Sequence, residues 1–197
     1  EVVYDGTQPG DGDEFVELYN PTGTPVNLVG WGIGDEVRAG GGEGFYRFPD
    51  RILAPGAVAV VARSASAFRA RFGMLPDFEL EPGDEDLPEI PNLSRDRAWG
   101  RGRWALNNSG DEVVLVDPEN RRVDALAFRN GDFAALGLSG HNISAPAPKS
   151  LNRVADWRGS HLNDLLVYQH PSPGAPLPRP AAPPAPPAPA VGAGLFA

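Results

Sequence analysis

The first group of residues able to do chemistry is Asp5-Gly6-Thr7-Gln8-Pro9-Gly10-Asp11-Gly12-Asp13-Glu14, where carboxylates alternate with glycines. Calcium takes about six to eight oxygen ligands, often from carboxylates on such a loop. Asp5, Asp11 and Asp13 are therefore the calcium candidates. Their spacing fits no EF-hand, and a solvated turn explains the loop as well. A second acidic group, Glu79, Glu81, Asp84, Glu85, Asp86 and Glu89, is open to the same two readings. No other cofactor is expected.

Catalytic constellations are harder to find. The histidines, His141, His161 and His170, sit at spacings that match no zinc motif. Gly137-Leu138-Ser139-Gly140-His141 lacks the G-x-S-x-G spacing of a nucleophile elbow. Cysteine is absent, which removes disulfides, thiolate ligands and a thiol nucleophile together. Glu14 and Glu17 could pair for acid–base work only on one face of a strand. They are an odd number of residues apart and so face opposite ways. The expectation is a protein that is not an enzyme.

The elements that must position these side chains are short strands. Asp13-Glu14-Phe15-Val16-Glu17-Leu18-Tyr19-Asn20-Pro21 is a strand followed by a turn: Phe15, Glu17 and Tyr19 point one way, Val16 and Leu18 the other, and Asn-Pro stops the ladder. Val26–Ile33 reads as a strand with a bulge at Gly30. Residues 45–53 read as an edge strand, and Ala57–Ala62, apolar on both faces, as a buried one. Ser64 can cap a helix over Ala65–Phe72 that Gly73 ends. Residues 76–97, with eight acidic residues and four prolines, read as a surface excursion. Trp104–Leu106 resumes the sheet, and 111–117 with 122–128 form a hairpin. Val16, Leu18, Leu28, Trp31, Val58, Val60, Val114 and Val116 are the expected core. The pattern is that of an all-β, antiparallel β-sandwich with one short helix.

Composition sets the domain limits. Ten of the 22 prolines fall between Pro171 and Pro189, so the sandwich is expected over residues 1–175 and an extended, Pro-rich polyproline II tail over 176–197. All 26 acidic residues lie before the tail, and the chain is net −9. Such a surface disfavours nucleic acid and anionic membranes, and no window is apolar enough for a membrane span.

The ordered set Glu1-Val2-Val3-Tyr4-Asp5-Gly6, Asp13–Pro21, Val26–Trp31, Leu53-Ala54-Pro55-Gly56, Asn108-Ser109-Gly110-Asp111 and Val123-Asp124 resembles the lamin-tail domain of secreted bacterial and archaeal proteins. Ser150-Leu151-Asn152-Arg153 and Pro171–Pro176 resemble its closing segment. The resemblance implies an immunoglobulin-like fold, an extracellular or cell-surface location, and no catalytic residues. It leaves two function classes. One is a secreted structural subunit that self-assembles head-to-tail into a filament or surface layer, a homo-oligomer. The other is an accessory binding or adhesion module of a secreted enzyme or cell-surface protein, with the tail as linker. For the first, the opening strand lacks its usual lead-in and is expected to leave Val2 and Val3 on an open sheet edge. The tail tip, Val191, Leu195 and Phe196, would add a strand there from a neighbouring copy.

Overall fold

A computed structural model of the chain describes residues 1–80, 87–138, 143–153, 165–168 and 170–174. The strands are β1 (Val2–Val3), β2 (Phe15–Tyr19), β3 (Val26–Asn27), β4 (Gly32–Gly34), β5 (Phe45–Arg47), β6 (Ile52–Leu53), β7 (Val58–Ala62), β8 (Phe78–Glu79), β9 (Ser94–Arg95), β10 (Gly110–Val116), β11 (Arg122–Arg129), β12 (Ser150–Arg153) and β13 (Leu165–Tyr168), with α1 (Ala65–Phe72) after β7. They form a six-stranded sheet in the order β13-β12-β1-β2-β7-β8, a five-stranded sheet β11-β10-β4-β5-β9, and the pair β3-β6. Pairing is antiparallel throughout these sheets except between β7 and β8, which run parallel.

Alternation along each strand sets the layers. Val2, Val16 and Val61 of the first sheet meet Ile33, Tyr46 and Val113 of the second in the main core. The opposite face of the first sheet, Val3, Phe15, Val60 and Ala62, is covered by Phe68 of α1. The outer face of the second sheet, Phe45, Val114, Val116 and Ala127, is covered by Leu136, with Trp99 and Phe133 packed beside it. Both sheets are thus buried on two faces, which is why β7 reads as a continuous apolar run.

The helix forms where its caps predict. The Ser64 side chain accepts from Ala67 N at 3.3 Å, and Gly73, at φ 70, closes the last turn on Arg69 O. The hairpin of β10 and β11 is also as expected.

Several expectations are corrected. Val26–Ile33 is not one bulged strand: a turn closed by Trp31 N donating to Leu28 O at 2.9 Å, with Gly30 at φ 76, carries the chain from the β3-β6 pair to the five-stranded sheet. β5 is interior, between β4 and β9, while β6 pairs with β3. Trp104 and Leu106 are buried without joining a ladder. The stretch 76–97 supplies β8 and β9, and Phe78, Leu80, Ile90 and Leu93 are buried core residues. Leu18, Trp31 and Val58 are half-buried, since Tyr19 opposite Val58 is the last pair of its ladder and Trp31 lies in the turn; the other expected core residues are buried.

Candidate functional site

The acidic loop runs from the end of β1 to the start of β2, and its three calcium candidates are not brought together. Asp13 is fully buried. Thr7 N and Gln8 N donate to its Oδ1 at 2.9 and 2.8 Å, and Arg71 Nη1, from the last turn of α1, donates to Oδ2 at 2.7 Å. Burial pushes its carboxyl up, but these donors outweigh burial and hold it below the ordinary aspartate range. Asp5 Oδ2 accepts from Ala147 N at 3.0 Å, and Asp11 Oδ1 from Gly6 N at 3.1 Å. The loop is therefore a set of acceptors for N–H groups, and Asp13 is its anchor.

Glu14 is the unexpected member. Its side chain is enclosed, with Arg63 Nη1 3.1 Å from Oε2. Burial pushes its pKa up to about 8, and Arg63 only partly opposes that. Asn108, in the turn before β10, donates through Nδ2 to Asp11 Oδ2 at 3.2 Å, which draws this turn of the second sheet against the loop of the first.

A larger carboxylate group lies at one end of the second sheet, and sequence reasoning missed it. Asp35 Oδ1 and Oδ2 accept from Gly44 N at 2.6 Å and Ala105 N at 2.9 Å. Glu36 accepts from Arg38 N and Glu43 N, Asp111 from Asn107 N and Glu112 N, and Glu112 from Asp132 N. Oxygens of Glu43, Asp111 and Glu112 lie within 4.8 Å of one another. Burial raises Asp35 to about 6 and Asp111 to about 8. Glu43 rises to about 7, through burial and then the charges of Asp35, Glu112 and Glu36. Like charges this close share protons. The signal was present as Asp35-Glu36 and Asp111-Glu112, acidic pairs at the end of β4 and the start of β10, beside their apolar residues.

Between the acidic loop and α1 runs an open groove lined by Gln8, Pro9, Gly12, Ser66, Ala67 and Leu87, too shallow to enclose a reacting group. His170 is exposed, while His141, His161 and the Ser139 motif lie outside the described residues. No helix of the described residues is long and apolar enough to cross a membrane.

The expected docking edge is not an edge. Val2 faces Val16 of β2 on one side and Leu151 of β12 on the other, and Val2 and Val3 are buried. β12, remote in sequence, supplies the second neighbour of β1. The chain then returns to the same place: Ser172 N donates to the Glu1 carboxylate at 3.0 Å and Gly174 N to Glu17 Oε2 at 2.5 Å. Val191, Leu195 and Phe196 lie outside the described residues.

Comparison with known proteins gives two findings. The family model described as Lamin Tail Domain matches residues 1–130. A search of curated proteins finds no match to this chain.

Proposed function

The chain belongs to the lamin tail domain family, a family of immunoglobulin-like and typically non-catalytic domains, and from that premise we propose that it is an accessory binding or adhesion module of a secreted enzyme or cell-surface protein. The observation that carries this choice over a strand-donating filament subunit is the pairing of Val2 on both sides, which leaves no acceptor edge at β1. Three of its buried carboxylates, Asp13, Asp35 and Asp111, accept from backbone N–H groups, a structural use that supports a module without turnover. The bonds from Ser172 and Gly174 to Glu1 and Glu17 fix residues 172–174 beside the paired strands β1 and β2.

Self-assembly keeps one specific observation in its favour. β13 is the outer strand of the six-stranded sheet and pairs with β12 alone among the described strands, so a neighbouring chain could extend the sheet there. Sedimentation velocity on the full chain and on residues 1–175 separates the two readings. The module reading expects monomers from both over a wide concentration range. Concentration-dependent growth of the full chain, lost on removing the tail, would establish the filament reading instead.

A further inference from the structure

We infer that residues 95–103 form a binding surface for an acidic polysaccharide, gripped by the guanidinium groups of Arg97, Arg101 and Arg103, a ligand class that rests on the module reading proposed above. In a chain of net charge −9, four of the 17 basic residues fall within these nine positions, with Asp96 as the one acid among them. Asp96 is already committed: Arg47 Nη2 lies 2.8 Å from its Oδ2, and Ala98 N and Trp99 N donate to its Oδ1. Arg97, Arg101 and Arg103 are exposed, and none of them has an ion pair or a side-chain hydrogen bond among the described residues.

The backbone is held so that these side chains face outward. Gly40 N donates to Trp99 O at 2.7 Å, Arg101 N to Gly41 O at 3.2 Å and Gly102 N to Glu43 O at 2.8 Å, which lays the segment along residues 40–44. Gly100 and Gly102 face that backbone: a Cβ on Gly100 would lie 2.6 Å from Glu43 O, and one on Gly102 2.2 Å from Gly42 O. The alternate residues, Arg101 and Arg103, are turned to solvent. Their Cα atoms can be no more than about 7 Å apart, so two guanidinium forks face one ligand. Arg95 braces the segment, donating through Nη2 to Arg101 O at 2.9 Å and to Gly102 O. Glu43 lends its carbonyl to this segment, yet its pKa is pushed up to about 7 by burial and by Asp35, Glu112 and Glu36, with no guanidinium opposing them. The arginine charges are therefore not spent on the neighbouring carboxylate group.

Charge and shape select the ligand. A guanidinium fork matches the oxygens of a carboxylate or sulfate, and a row of forks suits a chain that carries such groups at intervals. Nucleic acid fits less well. Trp99 is half-buried, its ring stacked on Phe45 at 4.6 Å and its Nε1 donating to Glu36 O at 3.1 Å, rather than presented to a base. A duplex also carries a charge about every 1.7 Å, and an acidic protein repels it more strongly than a polysaccharide with an acidic group on each sugar.

The test measures binding of the full chain to polygalacturonate, chondroitin sulfate, uncharged dextran and duplex DNA by affinity electrophoresis. Binding to at least one acidic polysaccharide is expected, weakening as salt is added, with none to dextran. Arg101→Ala combined with Arg103→Ala should lose at least tenfold in affinity. Arg51→Ala combined with Arg69→Ala removes the same charge from exposed positions outside the segment and should bind as the parent does. Circular dichroism checks that both double variants are folded. Absence of binding to both acidic polysaccharides at low salt, parental affinity in the folded Arg101/Arg103 double variant, or stronger binding to DNA than to either polysaccharide overturns the assignment. Sedimentation of the same samples keeps this apart from the module reading: a monomer that binds neither polysaccharide overturns the ligand alone, whereas a chain that grows with concentration yet loses polysaccharide in the double variant upholds the site and overturns the module.

Discussion

Aspartate 13 shows what single side chains do in this protein. Its carboxylate is buried with a guanidinium and two backbone amides, so removing it strands Arg71, Thr7 N and Gln8 N together. Breaking one partner of a buried ion pair costs about 3–5 kcal/mol, and Asp13→Ala should lower the unfolding free energy by that amount in urea titrations. The carboxylates of the second sheet predict an unusual pH dependence. Asp35 and Asp111 have folded pKa values of about 6 and about 8, above the ordinary 3.8, so the folded state holds their protons more tightly than the unfolded chain. Their contribution is complete below about pH 4 and is lost as pH rises through 6 to 8. Asp13 and Asp96, whose pKa values are lowered, act in the opposite sense only below about pH 4. The thermal midpoint should therefore be higher at pH 5 than at pH 8. A midpoint that is flat or rises toward pH 8 would contradict the burial assigned to this group. The acidic loop was visible as a site in the sequence, but not the use of its members. Asp13 is paired with Arg71 and Asp5 with Ala147, partners whose distance along the chain leaves no local trace.

At the scale of elements, what was legible is what local pattern encodes. The alternation of β2, the Ser64 and Gly73 caps of α1, and the β10–β11 hairpin all follow from neighbours in sequence. Non-local pairing was not legible. β1 sits inside its sheet because Leu151 of β12 arrives opposite Val2, and β8 is drawn beside β7 in parallel although its surroundings are acidic. Phe78, Leu80, Ile90 and Leu93 reach the core at irregular intervals, which no period reveals. This placement has a measurable consequence. Leu151 is 1% exposed and packs in the main core, so Leu151→Ala should cost about 2–5 kcal/mol. Leu18→Ala should cost less, since Leu18 is half-buried. Phe68→Ala, which uncovers the outer face of β2 and β7, should cost about 3–5 kcal/mol. Chemical denaturation of the three variants checks the order.

At the scale of the whole molecule, β1 is paired on both sides, and Ser172 and Gly174 return to bond Glu1 and Glu17. A net charge of −9 keeps like copies apart at low ionic strength, which agrees with a module that acts singly. The strand-donor alternative needs Val2 and Val3 to be open in an isolated chain and covered only when copies meet. Hydrogen exchange at these two amides, followed by NMR on dilute full chain and again at high concentration, addresses this directly. Slow exchange is expected at both amides in the dilute sample, at rates set by global unfolding and unchanged by concentration. Fast exchange in the dilute sample that becomes slow only on concentration would contradict it.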